Sequence, residues 1–263
     1  MIKQEEMHAY NADDAVRYFS GGSHIYPCTY VFPVSDFSSA IAFAQTFTDM
    51  YLGLLADILR HTALNLGSDS NGIVSVLAQA LGQEGQQSGW FRSLQGKHPS
   101  AEPFLTTSTR EFAFSWLQRF TVSGSCPSLG DIPLKTFPRM DVVSTVGTGP
   151  VTLLVPGEVD EKTQSLAFVN GALMPTVVPF NVIGVAACDN RGPKELGTNL
   201  TYSEGVSKCG NGTVTKLTAD FPFAHNVMHG LTLAVVVKRG GSFINAQDVT
   251  NAAVYGPAVI EIE

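Results

Sequence analysis

The chain has 263 residues, enough for one large domain or two smaller ones, and its 44% hydrophobic content is typical of a protein with a buried core. Charged residues make up only 15%, which argues against a disordered or coiled-coil chain. The net charge of −7 and the lack of a Lys/Arg cluster argue against a nucleic-acid partner, and no apolar run approaches the roughly 18 residues of a membrane span.

Residues 1–125 carry a helical pattern of apolar side chains at spacings of three and four. Four helices are predicted, over residues 2–20, 36–65, 71–95 and 108–120. Asp36 or Ser35 is expected to cap the second helix and Asn71 the third, while Ser108 is expected to begin a capping box in the fourth. Trp116 falls on a helical face, as do Trp90 and Phe91, and core packing is the default interpretation for all three.

After residue 125 the pattern changes to short β-branched segments separated by Gly, Pro, Asn and Asp. The predicted strands are VTLLV, SLAFV, VIGVAAC, TVTKLTA, GLTLAVVVK and AVYGPAVIEIE. Helices followed by strands indicate the α+β class, with an antiparallel β-sandwich-like second half. We expect a helical domain over 1–125, a linker over 126–145 and a β-rich domain over 146–263.

The first predicted helix contains a motif with chemical meaning, Glu5-x-x-His8, in which a carboxylate and an imidazole share one helix face. Two such motifs, with one Glu from each of two other helices, build a di-metal carboxylate site in a four-helix bundle. The third predicted helix offers Glu84, but Gln87 stands where the second imidazole is required. The second predicted helix offers only Asp49 near its middle. The motif therefore predicts half of a metal site.

Other histidines carry weaker signals. His225 and His229 have the i,i+4 spacing of two metal ligands on a helix, but Asn226 replaces the Glu of the metalloprotease pattern, and ordinary polar residues are expected there. His61 lies at a predicted helix end, where an imidazolium favours the helix dipole.

Several segments together resemble one protein family. PCTYVFPVSDFSSAIAFAQTFTDMYLG resembles the start of the third bundle helix in fungal ferritin-like proteins of the stress-response and late-sexual-development group. QEGQQSGWFRSL is similar to the fourth helix of that family, which carries Glu-x-x-His there. SCP and the TFP stretch resemble the linker, and VYGPAVIEIE resembles the terminal strand. The likeness covers most of residues 1–145 and returns at about 250–263.

The resemblance implies a ferritin-like bundle followed by a C-terminal β-domain, and it implies no particular reaction. The family carries a Glu in its third bundle helix and a His in its fourth. The corresponding positions in this chain are Ala44 or Gln45 for the Glu and Gln87 for the His. The first family helix has no counterpart, so the chain is expected to begin inside the second helix of a longer precursor. Of the family's ligand positions, those that keep a metal-ligand side chain are Glu5, His8 and Glu84.

Four cysteines are present, and none forms C-x-x-C, which argues against a zinc ribbon or a redox dithiol. Their spacing alone leaves three connectivities open. The family resemblance implies a Cys28–Cys126 disulfide, which leaves Cys188 to pair with Cys209. Disulfides imply an oxidising compartment.

Two glycosylation sequons, at Asn199 and Asn211, are compatible with secretion, although the polar start MIKQEEMHAY is not a signal peptide. Either the protein is cytosolic, or the chain lacks its true N-terminus. With the implied disulfides, we expect a secreted or wall-associated protein.

Three functions are compatible with these residues. The first is a non-catalytic ferritin-like protein of fungal stress or development, with an empty, degenerate metal site. The second is a metal-free cyclase or isomerase that binds a small apolar molecule in the bundle cavity and uses Glu5, His8 and Glu84 as acid and base. The third is an oxidase that keeps one or two iron or manganese ions. We also expect a homodimer that covers the apolar face of an incomplete bundle.

Overall fold

The computed structural model describes residues 1–65, 70–144, 147, 149–172, 174–189, 192–193, 212–226 and 228–262. Its helices are α1 (Ile2–Ser20), α2 (Phe37–Asn65), α3 (Ser70–Leu94), α4 (Arg110–Leu117), α5 (Phe223–Asn226) and α6 (Ala246–Ala252). Single 3-10 turns cover Gln118–Phe120 and Leu129–Asp131. None of the helices in these ranges is long and apolar enough to cross a membrane.

The second half of the chain forms two antiparallel sheets. The strands are β1 (Asp141–Val142), β2 (Val151–Pro156), β3 (Gln164–Val169), β4 (Thr176–Val178), β5 (Asn181–Asp189), β6 (Gly192–Pro193), β7 (Thr213–Ala219), β8 (Gly230–Lys238) and β9 (Ala253–Ile262). One sheet has the order β1-β2-β7-β5-β6 and the other β4-β3-β8-β9. Helices followed by antiparallel sheets confirm the predicted α+β class.

Two apolar clusters arrange the fold in three layers. The first lies between the sheets and includes Leu153, Leu217 and Phe168, all of which are shielded from solvent. The second lies on the other face of the four-stranded sheet, where Leu233 packs with helical residues such as Trp116. Strand β8 is buried at every position except its last, because it contacts a layer on each face. The division into domains at 126–145 stays a prediction.

The long helices lie side by side, and their side-chain contacts give their directions. Asp49 of α2 contacts Ser88 of α3, and Gln45 contacts Gln95. Glu5 of α1 contacts Gln87 of the same helix α3. Both α1 and α2 therefore run opposite to α3. All of α1 lies within the described part of the chain, and none of its side chains is fully buried.

The helix ends follow local rules, with two corrections to the sequence predictions. Asp36 caps α2, since its Oδ1 accepts a hydrogen bond from Ser39 N at 2.7 Å. In α4 the cap is Thr109 and not Ser108, because Thr109 Oγ1 accepts from Phe112 N at 3.3 Å and also contacts Thr250. The third helix begins at Ser70, so the predicted cap, Asn71, lies inside its first turn.

The segment that joins α1 to α2 is fastened to the region after α4. A disulfide joins Cys28 to Cys126, as the family resemblance implied. Val31 N donates to Phe120 O at 2.8 Å, and Val122 N donates to Thr29 O at 2.9 Å. These bonds place the Phe32 ring against the aromatic side chains of α2.

Candidate functional site

Three ionisable side chains of α1 and α3 meet where the two helices lie side by side. His8 Nδ1 lies 3.0 Å from Glu84 Oε1 and 3.5 Å from Glu5 Oε2. Glu5 and His8 point the same way because they are three residues apart on one helix. One candidate ligand atom from each of the three residues lies within 4.8 Å of the other two. The structure therefore brings together the three residues predicted from the sequence.

The fourth polar member of this cluster is Gln87. Its Nε2 donates to Glu5 Oε1 at 2.5 Å, and its side chain is buried like that of Glu84. The amide thus occupies the position expected for histidine and holds Glu5 toward the cluster. His8 Nδ1 and Glu84 Oε1 are shielded from solvent, and neither makes a hydrogen bond of good geometry to any described residue. These two atoms face each other at 3.0 Å, close enough to share a proton or to hold one ion between them.

The surroundings alter the acidity of two groups. Burial, reinforced by the negative charge of Glu5, raises the pKa of Glu84 to about 7, although His8 acts in the opposite direction. Burial, and then the charges of Glu84 and Glu5, raise the pKa of the Tyr51 phenol. At neutral pH the Glu84 carboxyl is therefore present in both its protonated and its ionised form. A group of this kind can act as a general acid or a general base.

The cluster borders an apolar cavity of about 550 Å³ between α1, α2 and α3. Aromatic rings form much of its wall: Phe32, Phe43, Phe47, Tyr51 and Phe91. Ala44, one of the two positions at which the resemblance led us to expect a carboxylate, also lines the cavity. A cavity of this size with a few polar groups at one end is typical of small-molecule sites.

Gln45, the other position at which the resemblance led us to expect a carboxylate, does not line the cavity. It is fully buried, and its Nε2 donates to Asp49 Oδ2 at 2.9 Å and to Glu261 of β9. Its Oε1 accepts from Lys97 Nζ at 2.9 Å. Asp49 accepts from Ser88 Oγ at 2.6 Å. This second polar network ties α2 and α3 to the last strand.

A second apolar cavity of about 290 Å³ lies between α2 and α4. It shares Phe47 and Tyr51 with the first cavity. Its charged lining residue is Arg110, whose Nε lies 3.1 Å from Asp57 Oδ2 and whose Nη2 lies 2.8 Å from His61 Nε2. The cavity is thus apolar apart from a guanidinium that is already paired.

Sequence reasoning did not identify four aromatic residues of the cavity wall, namely Phe32, Phe43, Phe47 and Tyr51. Phe47 and Tyr51 lie four residues apart on the apolar face of α2, and this spacing could have identified Tyr51. Phe32 lies in a segment without a periodic pattern.

Two of the other histidines have contacts outside the cluster. His61 contacts Arg110, and His229 packs on Phe223 with ring centroids 4.5 Å apart.

Several predicted positions lie outside the part of the chain whose side chains the structure describes. They are His225, Cys188, Cys209, Asn199 and Asn211. The Cys188–Cys209 disulfide and the two glycosylation sites therefore stay predictions.

No protein family matches the chain, and no curated protein sequence matches it.

Proposed function

We propose that the protein binds a small apolar molecule in the cavity between α1, α2 and α3 and transfers a proton to or from it through Glu84. The observation that supports this most directly is a buried carboxyl with a pKa of about 7 beside an aromatic cavity. Isomerisation by migration of a double bond needs this chemistry alone, since one carbon of the substrate loses a proton, the double bond shifts, and another carbon gains a proton.

The neighbours of Glu84 have distinct tasks in this proposal. His8, 3.0 Å away, exchanges a proton with Glu84 and stabilises its ionised form. Glu5, held by Gln87, keeps the pKa of Glu84 high through its negative charge. The aromatic wall screens the Glu84 side of the site from water, which strengthens the electrostatic interactions of that carboxyl group.

The base function has a direct test that needs no knowledge of the natural substrate. Nitrobenzisoxazole is a small aromatic molecule from which a base removes a carbon-bound proton, while the N–O bond breaks and its electron pair stays on the phenolate oxygen. We expect the wild-type protein to accelerate this elimination as the pH rises through about 7, with a loss of at least tenfold in Glu84→Gln. Product absorbance measures the rate.

The matched control is Asp14→Asn, which removes an exposed carboxylate of α1 from a position outside the cavity wall. It should keep the wild-type rate. Equal rates for Glu84→Gln and wild type would contradict the proposal.

A second candidate function, binding of one divalent metal ion, is favoured by the three ligand atoms that lie within 4.8 Å of one another. Two carboxylates and one imidazole suit iron or manganese. A pair of ions lacks ligands among the described residues, because Ala44 and Gln87 occupy two of the required positions.

Metal binding predicts that the purified protein contains, or takes up, one equivalent of iron or manganese, and that His8→Ala reduces this content severalfold. Elemental analysis measures it. The control is His98→Ala, an exposed imidazole outside the cluster. A metal content in wild type no higher than in His8→Ala would remove this candidate.

The family resemblance supports a wider proposal, a ferritin-like bundle in a secreted or wall-associated protein of fungal stress or development. The direction of the helices and the meeting of Glu5, His8 and Glu84 are compatible with it. The Cys28–Cys126 disulfide is compatible with an oxidising compartment. The stress role and the homodimer stay predictions.

A further inference from the structure

The two apolar cavities follow one another along a single face of α2. The first is lined on α2 by Phe43, Ala44, Phe47, Thr48 and Tyr51. The second is lined on α2 by Phe47, Met50, Tyr51, Leu54 and Ile58. At 1.5 Å per residue, the stretch from Phe43 to Ile58 spans roughly 22 Å. Because Phe47 and Tyr51 belong to both walls, the two cavities are adjacent along this face, and the pair is called the groove below.

The chemistry changes along this groove. One end presents the carboxyl groups of Glu5 and Glu84, with the imidazole of His8 beside them. The other end is lined by apolar side chains of α4 and the following segment, among them Leu117 and Leu134. The groove therefore has one polar end and one apolar end.

The charge at the polar end selects the head group of a ligand. A carboxylate or phosphate head would add negative charge beside Glu5 and Glu84, and like charges at close range are unfavourable. An uncharged hydroxyl or carbonyl oxygen has no such cost, and it can exchange hydrogen bonds with a carboxyl group.

We propose that the ligand is a long, uncharged apolar molecule with one terminal hydroxyl or carbonyl group, such as a long-chain alcohol or aldehyde. Its head lies at Glu84, and its tail passes Phe47 and Tyr51 into the second cavity. This inference rests on the proposed function, because it assumes that the first cavity is the binding site.

Competition against a neutral fluorescent probe, N-phenylnaphthylamine, tests the proposal. At neutral to alkaline pH, dodecanol should displace the probe at a concentration at least tenfold lower than hexanol, because more methylene groups are buried. Dodecanol should also outcompete dodecanoate at least tenfold, because the acid carries a charged head.

Two variants of the second cavity test where the tail of the ligand binds. Leu134→Trp fills the second cavity from the segment after α4, and Ile58→Trp fills its far end from α2. Each should raise the dodecanol concentration required at least tenfold and leave that of hexanol unchanged. Val76→Trp, at an exposed position of α3, is the control and should behave as wild type. A thermal melt confirms that each variant is folded.

Each outcome has a defined meaning. Equal displacement by hexanol and dodecanol, or a preference for dodecanoate, overturns the inference while leaving the first cavity as a binding site. Failure of the wild-type protein to bind the probe at all removes the shared premise.

Discussion

Removal of the Cys28–Cys126 disulfide, in the double variant Cys28→Ser/Cys126→Ser, should lower the free energy of unfolding by about 4 kcal/mol. The bond joins residues separated by 98 positions, and such a crosslink restricts the unfolded chain far more than the folded one. In the chain-entropy model a loop of this length contributes about 4–5 kcal/mol, and removal of native disulfides costs about 2–5 kcal/mol. Urea denaturation followed by tryptophan fluorescence measures the change.

A local consequence accompanies the global one. Phe32 lies four residues after Cys28 and forms part of the cavity wall, so a loosened connecting segment should weaken binding of N-phenylnaphthylamine. The hydrogen bonds between Val31 and Phe120 and between Val122 and Thr29 remain in the variant, and they limit this effect to a few-fold. Ser125→Ala removes a hydroxyl from the same junction without cutting the crosslink and serves as the control. Unfolding midpoints that are identical for the double variant and this control would show that the disulfide is not stabilising.

The regular elements were predictable because their signals are local. A stripe at spacings of three and four predicted α2 within one residue of its observed start, and β-branched runs predicted the six longer strands. The short strands β1, β4 and β6 carry two or three residues each, too few for any periodic pattern. Their pairing depends on distant partners, such as Asp141 opposite Leu154.

Side-chain burial was predicted less well. Phe91 and Trp116 are buried as expected, but Trp90 is exposed, which corrects the core interpretation. The buried positions of α3 include Glu84, Gln87 and Phe91, at the three- and four-residue spacing of one helix face. Residue 90 falls off that face, so helical geometry and not hydrophobicity decides its position.

Part of the site was also predictable from helical geometry, and part was not. The spacing of Glu5 and His8 fixes their common direction, and a search of the other predicted helices for the remaining ligands of such a site identified Glu84. The wall residue Phe32 follows a loop, and the contact of Gln45 with Glu261 joins residues separated by 216 positions. Only tertiary packing determines such contacts, and no local pattern in the sequence encodes them.

Replacement of Glu84 by Gln should make the protein more stable at alkaline pH and leave its stability in mild acid nearly unchanged. The pKa of Glu84 rises from 4.5 to about 7 on folding, chiefly through burial and then through the charge of Glu5. The folded protein therefore holds this proton more tightly than the unfolded chain does. The resulting loss of stability is absent below about 4.5, grows as the pH rises to about 7 and is complete above that value.

The full shift corresponds to an upper limit of about 3 kcal/mol. Because the cavity is open to solvent on one side and His8 compensates part of the charge, we expect Glu84→Gln to gain about 2 kcal/mol at about pH 8 and little at about pH 5. Urea denaturation at the two pH values measures the difference. The control, Glu6→Gln, removes a more exposed carboxylate that pairs with Lys3 and should show no such pH-dependent gain. A gain of equal size at both pH values would mean that Glu84 is not the group titrating between them, and the acid–base role proposed for it would lose its physical basis.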